Sequence, residues 1–347
     1  MILHIFNPEH DLALASGLSN FTAPHAGRQL RADLGYLPAL WAGEDDCVLV
    51  EHVEQARRSY GRLKARVGGG QGRFVDKSQL GRLPISRVEP WGWDLALRAA
   101  LIRYGVSPDA CADEATIAAV RDCSHRRHAA EVLRRLGWEA PVEVSTVEAI
   151  EQRLAECPRL VVKAPWSSSG RGVRFIDGEL SDYHRGWLRN VISRQGSVMV
   201  EPFYPKVKDF GMEFEALSDG RIQYLGLSLF DTNNGAYTGN VIASEEEKQE
   251  MINRYVPDEY LCSVQDKVTT ALGEVIGSRY TGPFGVDMMI LSKPEGHGFL
   301  IHPCVEINLR RTMGHVAISM AASSPIALPR VMQVLLTDKY RIRIRRL

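Results

Sequence analysis

Val286-Asp287-Met288 and, further along, Val305-Glu306-Ile307-Asn308-Leu309-Arg310 place three hard-oxygen ligands and one permanent cation on two strand-like runs. Alternate side chains of a strand share a face, so Glu306, Asn308 and Arg310 are expected to point one way while Ile307 and Leu309 enter an apolar layer. A carboxylate and an amide beside Asp287 on a neighbouring strand suit Mg2+ (or Mn2+), which takes few protein oxygens and leaves positions for phosphate oxygens. Arg310 would then face those phosphates. The same residues also read as a solvated strand face with an ordinary ion pair, and a short motif of this kind carries a high false-positive rate.

A second constellation lies upstream. Leu160-Val161-Val162-Lys163 is a β-branched run ending in a lysine, and Ala164 to Gly172 follows it with a small, hydroxyl-rich turn containing Ser167, Ser168, Ser169 and Gly170. Such a strand, loop and strand can surround a phosphate with backbone N–H groups, because Gly170 and Gly172 allow close approach and the serines add donors. It is not a P-loop: no G-x-x-x-x-G-K-[ST] is present and no helix follows directly. An empty glycine-serine hairpin is the alternative.

In this order, the residues resemble the ATP-grasp superfamily of carboxylate ligases, which includes D-alanine ligase, biotin carboxylase and glutathione synthetase. In that family a strand lysine precedes a flexible loop over the ATP phosphates, which Lys163 to Val173 resembles. The segment Gly196 to Phe203 is similar to the hinge that holds adenine. The resemblance therefore gives Glu201 and its neighbouring backbone the adenine edge and Asp209 the ribose hydroxyls, with Glu213 competing for the ribose. The acidic residue and the later E-x-N that bind the family's magnesium ions fall on Asp287, Glu306 and Asn308, and Arg310 is most similar to the biotin carboxylase branch. The match departs at Ser124-His125-Arg126-Arg127-His128. Arg126 stands where the family has a lysine on the α-phosphate, and an arginine keeps the charge with a planar, two-pronged donor set. His125 stands where the family has an aspartate, and the alternative for this segment is a basic helix start.

The elements that must position these groups read as α/β. Ile2 to Phe6 and Cys47 to Glu51 are expected strands and Trp93 to Tyr104 a helix. They build a Rossmann-like N-terminal domain over residues 1–115, similar to the family's pre-ATP-grasp domain. A small lid over 116–196 takes a helix from Ser124 to Leu136, the strand at Val161 and a helix around Tyr183 to Ile192. A C-terminal subdomain over 197–347 takes strands at Val198, Glu213 to Leu217, Ile222 to Phe230, Gly285 to Ile290 and Phe299 to Asn308, with a helix near Val264 to Ile276. The fold class expected is ATP-grasp, with mixed antiparallel sheets sandwiching ATP.

Two more segments look functional. Asn7-Pro8-Glu9-His10-Asp11 follows the first strand, where α/β folds bind ligands, so Asn7 and His10 are candidates for holding a substrate; the competing reading makes Asp11 a helix cap. Phe230 to Asn240 is turn-rich, and Tyr237 and Asn240 are the candidate acceptor contacts unless the segment is a plain hairpin connection. His315 reads either as an acid-base group or as a packed histidine.

Composition bounds the partners. The chain has 347 residues, 45% hydrophobic and 24% charged, which is ordinary for a globular protein with real cores. Lys plus Arg equals Asp plus Glu at 42 each, so there is no overall footprint for nucleic acid or an anionic membrane, although Lys339 to Arg346 is locally basic. Met1 to Phe6 is too short an apolar run for a signal peptide and no run is long enough for a membrane span, so a cytoplasmic protein is expected. The six cysteines show no C-x-x-C spacing and read as reduced, packed thiols.

The resemblance implies ATP-dependent, Mg2+-dependent activation of a small-molecule or peptide carboxylate as an acyl phosphate, then capture by an amine or similar nucleophile with release of ADP. Lys163, Arg126 and Arg310 would stabilise the transferring charge. A homodimer is left open. Two other classes remain: a phosphotransferase that stops after delivering the γ-phosphate, and an inactive nucleotide-binding regulatory protein.

Overall fold

The computed structural model describes residues 1–167, 172–233, 236–293, 296–323 and 329–347. Among them the strands assemble into four four-stranded sheets. The first joins β1 (Ile2–Ile5), β2 (Cys47–Leu49), β3 (Arg73–Val75) and β4 (Arg87–Pro90) in the order β3-β2-β1-β4, every pair parallel. Parallel strands need crossovers, and the helix Val53–Val67 supplies one by burying Ala56, Tyr60, Leu63 and Val67 on one stripe.

The second sheet joins β5 (Val142–Val144), β6 (Arg159–Lys163), β7 (Val173–Asp177) and β8 (Val198–Pro202) in the order β5-β8-β6-β7, all antiparallel. Its valines and leucines close a small core of their own with Ile150 and Leu188. Sequence reading puts the Val198 strand in the last lobe. It belongs here instead, because Val198 and Val200 complete this core and pair with β5 and β6.

The remaining strands interleave: β9 (Lys206–Ala216), β10 (Ile222–Ser228), β11 (Phe230–Asn233), β12 (Ala236–Ile242), β13 (Gly282–Ser292), β14 (Phe299–Asn308), β15 (Arg330–Leu336) and β16 (Tyr340–Arg346). They form antiparallel sheets in the orders β10-β9-β13-β14 and β11-β12-β15-β16. The turn-rich Phe230 segment is thus a β11–β12 hairpin. Strict alternation shapes the third sheet: Phe210, Met212 and Phe214 of β9 and Phe284, Val286 and Met288 of β13 enter the largest core, leaving Asp209, Glu213 and Asp287 on the other face.

The helix Arg127–Arg135, expected in the lid, packs on this third sheet. Its Ala129, Val132 and Leu133 join the core of Phe210 and Phe214, while its arginines face outward. The fourth sheet shares a core with the N-terminal region, since Ile242 and Met332 pack with Leu34, Leu37 and Tyr60 and with Val316 and Met320 of the helix Met313–Ser323. First and last parts of the chain are therefore joined through one apolar cluster.

Leu133→Ala should lower stability by about 2–5 kcal/mol, the cost of a cavity in a buried core. A denaturant midpoint change corresponding to less than about 0.5 kcal/mol would show that this helix does not pack on the third sheet.

Candidate active site

The outward face of the third sheet gathers acid. Asp287 and Glu306 are direct partners across β13 and β14, Gly285 opposes Asn308, and Glu213 of β9 opposes Gly285. The strand alternation therefore brings Asp287, Glu306 and Asn308 together, and Ile307 and Leu309 are buried in the core on the other side. Asn308 Nδ2 donates to Asp287 Oδ2 at 3.3 Å. Burial, followed by the charges of Glu306 and Glu213, pushes the Asp287 carboxyl up to about 7, against smaller opposing effects from Arg310 and Asn308. This face has more negative charge than its cations satisfy, and a divalent cation would relieve it.

Two guanidinium groups already lean on it. Arg126 Nη2 donates to Glu306 Oε1 at 2.6 Å, and Nη1 donates to Ser167 Oγ at 3.0 Å and to the Ala164 carbonyl, while Nε is buried without a partner. Arg126 thus ties the β6–β7 hairpin to the carboxylate face. Arg310 holds Asp11 with two parallel hydrogen bonds, Nε to Oδ1 at 2.8 Å and Nη2 to Oδ2 at 2.7 Å, and also donates to Asn308 Oδ1 at 3.1 Å. Burial alone would raise Asp11, but Arg310 and His10 hold its carboxyl well below the usual range. Burial likewise opposes the Arg310 charge, and Asp11 with Glu306 outweighs it and raises Arg310 above its ordinary value.

The hairpin is set by its base and by Trp166. The Ala164 N–H donates to the Gly172 carbonyl at 2.8 Å. Trp166 donates Nε1–H to the Arg121 carbonyl at 2.8 Å, exchanges hydrogen bonds with Gln195, and lies under the Arg121 guanidinium and against the edge of His125. Lys163 and Glu201 lie diagonally across β6 and β8 on one face, with Nζ and Oε1 2.5 Å apart, both buried. Next to Lys163, the buried imidazole of His302 has no hydrogen-bond partner on either nitrogen, and the buried Tyr204 hydroxyl has none. Buried polar atoms are normally satisfied, so these orphans mark a place where a polar ligand edge would fit.

No family model matches the sequence, and no curated protein matches it. Solved structures do. N5-carboxyaminoimidazole synthetase from Staphylococcus aureus, complexed with ADP, superposes over 96% of this chain and 82% of its own at 13% identity, with a TM-score of 0.51. Biotin carboxylase from Campylobacter jejuni, in a complex with β,γ-ATP, covers 96% of this chain and 75% of its own at 10% identity, with a TM-score of 0.54. The chain has the ATP-grasp fold.

Within that ATP-grasp fold the sequence-derived residues divide. Asp287, Glu306, Asn308, Arg126, Ser167 and Arg310 meet in the cleft; Ser168, Ser169 and Gly170 lie outside the described residues. Lys163 and Glu201 meet as an ion pair. Asp209 is on the same face of β9 but its Oδ2 already takes Lys206 at 2.7 Å and Thr232 at 2.9 Å. Glu213, the competing ribose candidate, is buried, accepting from Thr312 Oγ1 at 2.7 Å with His315 Nδ1 3.0 Å from Oε2. His315 is a packed histidine. A Cβ at Gly285 would come within 2.6 Å of Glu213 Oε2, so only glycine leaves room for that carboxylate.

The N-terminal segment is corrected. Asp11 is not a helix cap: the helix His10–Ser16 has Glu9 at that position with no side-chain cap bond, and Asp11 lies in its first turn facing Arg310. Asn7 donates to the Gly92 carbonyl at 2.8 Å and to Asp94 Oδ2 at 3.2 Å, and His10 Nε2 lies 2.9 Å from the Trp93 carbonyl. A Cβ at Gly92 would meet the His10 ring at 2.6 Å, so both side chains bind the loop after β4. Asn240 is buried and donates to Ser228 Oγ at 2.9 Å, whereas the buried Tyr237 hydroxyl has no partner. Sequence reading missed the clamp role of Asp11, for which an acid directly after β1 was the signal. It also missed His302, four residues before Glu306 on β14 and therefore on the same face by alternation, which was the available signal.

Burial pushes both His302 and His125 down to about 4 from 6.5. The unfolded chain then binds protons that the native state refuses, so stability should fall as pH drops from about 6.5 to about 4. His302→Leu should make the fall in melting temperature over that window shallower; an unchanged slope would show that His302 titrates normally in the fold.

Proposed function

We propose that this protein is an ATP- and Mg2+-dependent ligase that activates a carboxylate as an acyl phosphate and joins it to an amine, releasing ADP and phosphate. The observation that carries the reading is the meeting of the lid hairpin with the carboxylate face: Arg126 bonds Ser167 and Glu306 at once. That contact brings Ser167, at the base of the hairpin, beside a set of metal-type oxygens, which supports a phosphate site between them.

Asp287, Glu306 and Asn308 would hold the metal. Two carboxylates and an amide leave positions on such an ion for phosphate oxygens and water. The charge supports it: Asp287 resists ionising beside Glu306 and Glu213, and the Arg126 guanidinium occupies the place at Glu306 where a cation belongs. Bound Mg2+ supplies neutralisation of the phosphate oxygens. With Glu306 engaged by a metal, Arg126 would be free to offer its charged, planar donor set to the same oxygens. Its unpartnered Nε leaves it a further donor.

Lys163 adds positive charge at the base of the hairpin, held in place by Glu201. Glu201, with the β8 backbone, is the candidate for the adenine edge, and Asp209 is the ribose candidate once Lys206 or Thr232 yields. Arg310 has most of its donors engaged by Asp11, Asn308 and the Arg311 carbonyl, so it acts from a fixed position on the charge that develops during transfer. Tyr237, with its free hydroxyl, is the acceptor-side candidate. Among the described residues no helix is long and apolar enough to cross a membrane.

The test is a thermal-shift titration with ATP and Mg2+, followed by ADP and phosphate release with panels of carboxylates and amines. A magnesium-dependent rise in melting temperature is expected, since a ligand at about a hundred times its Kd stabilises by ~2.7 kcal/mol. Glu306→Gln should lose that rise and at least about a hundredfold in turnover while remaining folded, and Lys163→Ala should weaken nucleotide binding. Retained turnover in Glu306→Gln would sink the metal assignment, and ADP formed without any amine would make the protein a phosphotransferase.

A further inference from the structure

A cavity of about 340 Å3 opens at the carboxyl ends of β1 and β2, away from the carboxylate face. Ligands of open α/β sheets bind at that edge, and the volume suits a small metabolite. The helix His10–Ser16 divides the two regions. Glu9 and Ala13 line the cavity, whereas Asp11 and Leu14, on the opposite side of the helix, line the cleft with Glu306 and Asn308.

The cavity is built rather than left over. Ala13, Ala96 and Ala100 keep it open where longer side chains would close it. Glu9 is only 8% exposed; Arg31 occupies its Oε1, and Oε2 is buried with no partner. Arg31 Nε is also unpartnered, with Glu51 Oε1 no nearer than 3.7 Å. Arg28 spends one donor on the Ala23 carbonyl at 2.6 Å, and Lys77 sits 6.0 Å from the Tyr104 ring centroid; among the described residues neither pairs with a carboxylate. Burial raises the Glu9 carboxyl, which agrees with its unpartnered Oε2. The turn after β1, Asn7 to Asp11, contains no glycine and carries two carboxylates, so it does not cradle a pyrophosphate as a dinucleotide site would.

We propose that this cavity is a second ligand site, separate from the nucleotide cleft, for a small zwitterion such as a free α-amino acid. Its carboxylate goes to Arg28 and Lys77, its ammonium goes to Glu9 Oε2, and its side chain packs on Val50, Leu97 and Leu101. The site lies close to the cleft along the chain: Asp11, two residues after Glu9, holds Arg310.

The experiment is a calorimetric titration of the nucleotide-free protein with each of the twenty L-amino acids. The best binder is then compared with its deaminated acid and its decarboxylated amine. At least one amino acid should bind, and loss of either charged group should weaken binding by about tenfold or more, the scale of one charge-assisted contact. Arg28→Ala should weaken it similarly, Ala100→Trp should abolish it by filling the cavity, and Glu306→Gln should leave it unchanged. A melting curve on each variant separates lost binding from lost folding. No binding by any amino acid at about 10 mM, well above usual metabolite-site affinities, would overturn the proposal. Binding that survives Ala100→Trp but disappears in Glu306→Gln would overturn it too, as would binding of inorganic phosphate with no amino acid bound. Because no nucleotide is present, failure here leaves the ligase reading standing, and success does not depend on it.

Discussion

Carboxylates crowded on one face of a sheet govern this structure. Asp287 and Glu306 are direct partners across β13 and β14, Glu213 of β9 lies diagonally from Asp287, opposite Gly285, and Asp11 approaches from the N-terminal region. Like charges so placed cannot all ionise cheaply in a partly dry cleft, and the raised Asp287 carboxyl records that cost. The fold meets it with two arginines from elsewhere in the chain. Arg310 ties the end of β14 to the first helix, and Arg126 ties the sheet to the lid hairpin. The same contacts that neutralise the site therefore join the three parts of the chain around it.

Such pairs contribute more to geometry than to stability. A half-buried arginine and carboxylate give up hydration that their attraction only partly offsets, so their retention is better explained by position than by energy. The bidentate Arg310–Asp11 pair fixes one guanidinium orientation, and the Lys163–Glu201 pair does the same for the lysine at the base of the hairpin. Glycines enforce the rest. Gly285 makes room for Glu213 and Gly92 for the His10 ring, so small residues on the strands and loops decide where the charged ones can lie.

The local part of this arrangement was legible in the sequence. Alternation on β14 placed Glu306 and Asn308 together because a strand's side-chain period is fixed by its backbone, and the β-branched run ending at Lys163, followed by a glycine- and serine-rich turn, read as a hairpin. What was not legible depends on contacts between distant segments. Arg126 meets Glu306 across 180 residues and Asp11 meets Arg310 across 299, and no local rule predicts either pair. The helix Arg127–Arg135 and the strand β8 were assigned to the wrong neighbours because their apolar residues fit equally well, in sequence, on any exposed core. His302 was legible by the same alternation, being four residues before Glu306 on β14, but nothing local marked it as lying beside Lys163 of another sheet.

The turn between β1 and the first helix carries these long-range constraints at their densest. Asn7 and His10 bind the loop after β4, Glu9 faces a cavity with an unsatisfied oxygen, and Asp11 holds Arg310. Each side chain is committed to a different structure, so the backbone between them cannot shift for one without disturbing the others. A helical turn whose two faces are both charged and both buried transmits displacement in the way that a packed interface does, because its interactions are made or broken rather than stretched. The first sheet and the carboxylate face are thus contacted by side chains of the same five residues.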